Sequence, residues 1–584
     1  MTTSQMPARP ARRGVLSGLT AGRAESVLAQ PARAQNHRAP HAIRRRPRRL
    51  LDEGWLVARN DGAAARHHAA VAWRPATLPH LDATPEGGAS PIWYRRALHV
   101  PEAWRDKRLF LLLEGAGDLA EVHVDGHRVG GHVGGSTAFA VDVTEPLGRH
   151  APGGEATVTV RVDGARHPGA RTGHGSAGLH RNVWLVATEQ VHLALLDHGS
   201  PGVRVETVAL GPTRGVVRVH GRVVNDGAAE TTARVRSRVL DADGVVVADA
   251  RAEVRLAAGD AADVVLELPA IERPHLWSPE APYLYRVSTV VDSEHGRDRV
   301  DTPLGLRHLG AGGAEFRLNG APYRLVPTGL HGDGADGRAY TDADRIRGLE
   351  LVKRLGANVV RLTHDASSPA VLEAADELGL LVWQEVPPVG PAALAGAFAE
   401  DHLASVREMV RQLAHHPSVA VWGTLDELTL PASGLTVRPG DVAGEAPPSE
   451  FARELVRLGD ELVRAEDPTR PTASVSDDTR APWAAPLYQA WALGHLYPSL
   501  ALPYAGAPGR PGRAEESVTV GAGVEHLAAQ GTLLLASSPG PDRALGVGSP
   551  SPDRAHTTGD GGSKPHRAPV RRRRAAGALH RRSA

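Results

Sequence analysis

The sequence contains no cysteine in its 584 residues. That excludes disulfides, thiolate metal ligands and a cysteine nucleophile. A chain without disulfides is compatible with the cytoplasm, the expected compartment, with secretion the alternative. An excess of one charge is also missing: 67 Lys and Arg stand against 66 Asp and Glu, a net charge of +1. No whole-chain attraction to nucleic acid or to an anionic membrane is therefore expected. Nor does any apolar run approach the ~20 residues that span a bilayer. Arg12 and Arg13 precede a weakly apolar stretch that Arg23 and Glu25 interrupt, so no export signal is expected.

What is present is globular: 41% hydrophobic and 23% charged residues, in a chain long enough for several cores. The 29 histidines supply groups that charge below neutral pH. Residues 1–49 are rich in Arg, Ala and Pro without hydrophobic periodicity and read as a disordered segment. Residues 537–584, dominated by Gly, Pro, Ser and Arg and carrying Arg571 to Arg574, read as a solvated basic tail.

Between these ends the hydrophobic period changes. Arg108 to Glu114 is an apolar run of strand length, and Ala120 to Asp125 alternates before Gly126 turns the chain. Ala156 to Val162, Val216 to Val224, Ala233 to Leu240 and Ala262 to Leu268 repeat the alternation. Short strands separated by Gly, Asp and Pro turns predict two antiparallel β-sandwiches, 50–190 and 191–310. From 311 to about 536 strand and helix alternate. Helices are predicted at Asp342 to Leu355 (Thr341 the N-cap), Pro369 to Leu378, Leu403 to Ala414 and Phe451 to Ala465. Strands are predicted at Asn358 to Leu362, Gly379 to Trp383, Val419 to Trp422 and Pro471 to Val475. That alternation implies the parallel strands of an (α/β)8 TIM barrel.

Barrel chemistry lies at the C-terminal ends of the strands. His331 follows the first, Arg361 and His364 the second, Glu385 the third, and Asp426 and Glu427 the fourth. A single polar residue in such a loop is ordinarily solvated; the joint placement marks a site. Three histidines at strand ends, His331, His364 and His495, also form an alternative zinc reading.

His416-Pro417 followed by Val419-Ala-Val-Trp422 and Asp426-Glu427 resembles the acid/base segment of glycoside hydrolase family 2. Val360-Arg-Leu-Thr-His364, Asp376 to Glu385, Phe316-Arg-Leu-Asn-Gly320 with Gly329-Leu-His331, and Leu276 to Tyr285 resemble further segments of that family in the same order. Val122 to Gly126 with Gly130, Gly134 and Gly135, Trp93 to Arg96, and Gly178 to Trp184 resemble its jelly-roll domain. The resemblance runs from about Leu51 to Tyr497 and implies a jelly-roll sandwich, an immunoglobulin-like sandwich and a TIM barrel. Within the sandwiches Trp184, Trp277 and Tyr285 read as core and Gly126 as a turn residue.

The resemblance implies a retaining exo-glycosidase acting on a β-linked sugar, with galactoside first and glucuronide or mannoside behind it. It makes Glu427 the proton donor, and Asp426 stands where the family has a sugar-binding Asn. His331, Arg361, His364, Glu385, His495 and Tyr497 become pocket residues, so zinc gives way to a sugar site with no metal. No cofactor is implied; a structural Mg²⁺ or Na⁺ leaves no sequence trace. The expected partner is carbohydrate, not nucleic acid or membrane, and a homo-oligomer is compatible. The nucleophile should end the seventh strand, where the nearest segment is Glu516-Ser-Val-Thr-Val-Gly-Ala-Gly523. It carries no Glu after Thr519, which leaves Glu516 and Glu525 as weak candidates. Two explanations stand side by side: a degenerate barrel, giving a carbohydrate-binding relic, or a reading frame disrupted after about residue 500.

Overall fold

The computed structural model describes residues 46–59, 72–81, 91–150, 154–163, 178–312, 315–331, 339–363, 366–386, 396–425, 450–474, 502–503 and 517–520. All of them lie in the unit Met1–Ala529.

The first sandwich pairs a six-stranded sheet with a four-stranded one. Alternation decides which side chains meet between them. Val122 and Val124, and Val158, Val160 and Val162, point from the larger sheet. Leu109, Leu111 and Leu113 with Val183 and Leu185 answer from the smaller. Asp125 and Gly126 both have positive φ, 49° and 80°, the tight hairpin turn that an Asp-Gly pair allows. One expectation fails here. The segment read as disordered through residue 49 is ordered from Arg46, and Arg48–Leu50 is an edge strand on Val183–Thr188. The cause is a buried carboxylate far along the chain. Arg46 donates Nε to Asp298 Oδ1 at 3.0 Å and Nη2 to Oδ2 at 2.7 Å, a fork that low-complexity composition does not reveal.

Val183–Thr188 belongs to the first sandwich, whereas Val191–Leu193 pairs with Arg214–Asn225 of the second. The second sandwich packs the sheet built on Arg214–Asn225 against Val246–Leu256, Thr231–Leu240, Tyr285–Ser293 and Gly296–Leu304. Trp277 and Tyr285 are core, as expected. Trp184 is only part-buried, under the Arg48 guanidinium, 3.8 Å from its ring. A small antiparallel sheet, Leu309–Gly312, Glu315–Leu318 and Ala321–Pro322, leads into the barrel.

The barrel strands Pro327–His331, Val359–Thr363, Leu381–Glu385, Val419–Leu425 and Thr472–Ser474 are consecutive parallel neighbours. Helices Asp342–Arg354, Pro369–Leu378, Gly396–Leu413 and Glu450–Glu466 connect them. Thr341 caps the first helix as predicted, its hydroxyl accepting from Asp344 N while the Asp344 carboxylate accepts from Thr341 N. The third helix starts well before Leu403, in an alanine-containing stretch of good helix propensity. Alternate strand residues separate two cores. Val360, Leu362 and Val382 face the helices. Val359, Leu381, Trp383 and Val421 pack with Phe316 and Leu318 and fill the barrel interior.

The other edge of Pro327–His331 departs from a regular barrel. Ser517–Val520 lies on it antiparallel, paired in turn with Leu502–Pro503. A parallel neighbour needs a crossover connection, whereas an antiparallel one does not.

Candidate active site

Two strand boundaries beside the site differ from expectation. Asn358 is a staple before its strand: Oδ1 accepts from Val326 N at 2.7 Å and Nδ2 donates to Arg324 O at 2.8 Å. The strand therefore starts at Val359, one residue later than predicted, and Arg361 sits in its middle. Gly379, at φ 68°, closes the preceding helix in the left-handed conformation. The next strand therefore starts at Leu381 and carries Glu385 as its last residue. Alternation along the two strands puts both charged side chains inside the barrel, on the same face as Val359, Leu381 and Trp383.

There they meet. Arg361 Nε donates to Glu385 Oε1 in a short ion pair, and the two residues are 4% and 2% exposed. The Arg361 guanidinium carbon lies 5.0 Å from the Trp383 ring centroid. Gly423, opposite Glu385 on the neighbouring strand, makes the space. A Cβ there would stand 2.6 Å from Glu385 Cγ and 2.6 Å from Trp383 Nε1. The sequence reading overlooked Gly423, although a glycine inside a strand is a signal of close approach.

The strand bearing Gly423 ends at Leu425, immediately before Asp426-Glu427 in sequence. Its course is held at both ends. At its start Asp376, wholly buried, accepts from His416 Nδ1 at 2.7 Å and from Ser418 N at 2.8 Å. His416 of the His-Pro pair is thus a structural anchor. At its far end His402 Nε2 donates to Thr424 O at 2.8 Å. Burial drives the His402 imidazole down to about 4, so it is neutral at pH 7.

The first sandwich reaches the same rim. Asn182 Nδ2 bridges two carboxylates, Glu114 Oε2 at 3.1 Å and Asp342 Oδ2 at 2.9 Å. Asp342 opens the helix after the first barrel strand, and its other oxygen accepts from Ser368 Oγ at 2.6 Å. Burial, then the charge of Asp342, pushes Glu114 up to about 7 despite the Trp184 Nε1 bond it accepts. The sandwich also grips the helix that carries His402. Glu408 accepts from Thr137 Oγ1 at 2.5 Å and His132 Nε2 at 2.9 Å, and Gln412 bonds Ala138 through both N–H and C=O.

Of the residues singled out from the sequence, the structure brings Arg361 and Glu385 together. His331 ends its strand, with its side chain outside the description. His364, Asp426, Glu427, His495, Tyr497, Glu516 and Glu525 lie outside the described residues. Among the described residues there is no cluster of three His, Asp or Glu able to hold a metal ion, and no helix long and apolar enough to cross a membrane.

Two sandwiches leading into a parallel α/β barrel, with a buried cation–carboxylate pair at its strand ends, define a modular barrel protein with its polar site on one rim. The description "Glycosyl hydrolases family 2" matches residues 202–307, and its "TIM barrel domain" matches 313–491. The chain belongs to glycosyl hydrolases family 2. It is 30% identical over 427 residues to a β-glucuronidase of Bacteroides fragilis, covering 69% of this chain and 58% of that protein. A β-galactosidase of Bacteroides ovatus is 28% identical over 472 residues, 74% of this chain and 54% of its own. A crystal structure of Bacteroides uniformis β-glucuronidase superposes with a TM-score of 0.67 at 29% identity, over 74% of this chain and 53% of that one. The chain thus spans about half the length of the relatives it matches.

Proposed function

We propose that this protein hydrolyses β-linked glycosides, with Glu427 as the general acid that protonates the leaving oxygen. One observation carries the reading: the strand Val419–Leu425, which Asp426-Glu427 follow in sequence, sets Gly423 opposite Glu385 of the buried Arg361–Glu385 pair. A general acid needs a carboxyl kept protonated until the glycosidic oxygen accepts its proton. A partly apolar wall favours that form, and Trp383 is the large apolar side chain packed in the barrel interior with Arg361. Arg361 and Glu385 line the floor, with His331, His364, His495 and Tyr497 completing the sugar pocket. Asp426, in place of an Asn donor, presents an acceptor to the sugar hydroxyls. β-Galactoside is the first candidate substrate, and the β-glucuronidases among the relatives set glucuronide beside it.

A second reading, a carbohydrate-binding relic without its nucleophile, is favoured by the antiparallel sense of Ser517–Val520. A retaining mechanism needs a second carboxylate about 5–5.5 Å from the first, and the family resemblance seeks it at the end of a parallel strand. Hydrolysis of a panel of nitrophenyl β-glycosides by wild type and Glu427→Gln separates the two. Turnover that collapses in the variant supports the hydrolase and identifies the sugar. A folded protein that binds sugars but turns over none of them leaves the relic.

A further inference from the structure

The four-stranded sheet of the first sandwich ends at the barrel rim. Leu113 pairs with Val183, and just beyond that pair Glu114 N donates to Asn182 O at 3.0 Å. The next amide, Val183 N, donates to Asp52 Oδ1 at 3.1 Å. Asn182 is thus presented from the end of a hydrogen-bonded sheet, a rigid support for a side chain that must hold something in place.

From there a continuous run of bonds enters the barrel. Asn182 Nδ2 donates at 2.9 Å to Asp342 Oδ2, and Asp342 is the first residue of the helix Asp342–Arg354. Asp342 Oδ1 accepts from Ser368 Oγ at 2.6 Å. Ser368 is also the N-cap of the helix Pro369–Leu378, its hydroxyl oxygen accepting from Val371 N. Beside it Ser367 N donates to Gln384 Oε1 at 3.2 Å, and Gln384 Nε2 donates to Glu385 O at 3.2 Å. Ser367, Ser368 and Gln384 are all buried. The segment 366–368 is therefore held from two sides: by the barrel strand that ends in Glu385, and by the first sandwich through Asp342.

A side chain between two carboxyls, Glu114 and Asp342, must donate to both without adding charge, and the two hydrogens of a primary amide do that. The sandwich already grips the barrel's flank through Glu408 and Gln412. The Asn182 bond differs in its place. It falls on the starts of the two helices that follow the first two barrel strands, the rim where a barrel builds its site.

We infer that Asn182 is a positioning residue of the barrel site: through Asp342 and Ser368 the first sandwich fixes the rim segment 366–368 against the strand that carries Glu385. The sandwich is then part of the site's framework and not an independent sugar-binding module. The effect on turnover rests on the hydrolase reading; the effect on the rim does not.

Two readouts on the full chain keep these apart. In Asn182→Ala, hydrogen exchange of peptides covering 366–372 should speed up about tenfold, because a hydrogen bond to a charged group is worth at least that factor. On nitrophenyl β-glycosides kcat should fall about tenfold or more, since a small displacement of a positioned group suffices for such a loss. Asn182→Leu, of similar size and without donors, gives the same readouts should Asn182→Ala not fold. Ser368→Ala should reproduce the loss of activity, and Ser368→Thr, which restores the hydroxyl, should recover most of it. The double variant Asn182→Ala/Ser368→Ala should lose little more than either single one, because both cut one run of bonds. Exchange at 366–372 as in wild type overturns the positioning role, whether or not the protein is active. Faster exchange with wild-type kcat, or losses that simply add in the double variant, overturns it as well. A wild-type protein that hydrolyses no glycoside sinks the hydrolase reading alone, and the exchange rates then decide the role of Asn182 by themselves.

Discussion

Arg361 and Glu385, on neighbouring parallel strands, bond to each other inside the barrel with almost no solvent contact. Removing one partner breaks a buried ion pair, at a cost of about 3–5 kcal/mol. Arg361→Met and Glu385→Gln should therefore each lower the urea midpoint strongly. The double variant should be less destabilised than the sum of the two. Strict additivity in the double-mutant cycle would show that the pair is not coupled.

Gly423→Ala tests how tightly the site is packed. Its Cβ would meet Glu385 Cγ and Trp383 Nε1, each at 2.6 Å. Overpacking of this kind costs about 1–3 kcal/mol. On the hydrolase reading kcat/KM falls as well, because Glu385 is displaced. A variant as stable and as active as wild type would mean that Glu385 moves aside freely.

The bond network at Glu114 makes stability depend on pH with a definite sign. Its carboxyl is raised from 4.5 to about 7 in the folded protein. The folded state therefore holds the proton more tightly than the unfolded state. The contribution is complete below pH 4.5 and is lost as pH rises to about 7. Glu114→Gln stays neutral throughout. Its stability relative to wild type should improve by up to about 3 kcal/mol between acid and alkaline pH. Parallel stability–pH curves for the two proteins would contradict the assignment.

His402 has the opposite sign. Burial lowers it from 6.5 to about 4, so the unfolded chain takes up the proton first. Its contribution is present above pH 6.5 and is lost as pH falls toward 4. His402→Gln, which keeps a donor for the Thr424 carbonyl, should flatten the acid limb of the stability curve. Denaturant titrations at stepped pH would reveal an unchanged limb if His402 does not titrate there.

Local pattern made much of this architecture legible. Alternation of period 2 marked the sandwich strands, and its replacement by helical spacing after Asn319 marked the barrel. Thr341 showed its helix start because a capping box is written within four consecutive residues. The boundaries that matter most were less legible. Asn358 and Gly379 each fit their neighbouring strand by composition, but hydrogen bonding and backbone handedness assign them to its approach. Alternation from Val359 and from Leu381 then turns Arg361 and Glu385 inward. Arg46, inside an unpromising basic segment, is ordered by a partner 252 residues away.

The sequence by itself determined the family, the order of sandwich, sandwich and barrel, and the exclusion of thiol chemistry. Such properties are carried by residue identity and short-range period. Only the tertiary structure decided which charges share a cavity: Arg361 with Glu385, Glu114 with Asp342, and Arg307 with Arg470. Each pairing joins separate segments of the chain, and its energy depends on the water that packing removes, a quantity no local stretch of sequence contains.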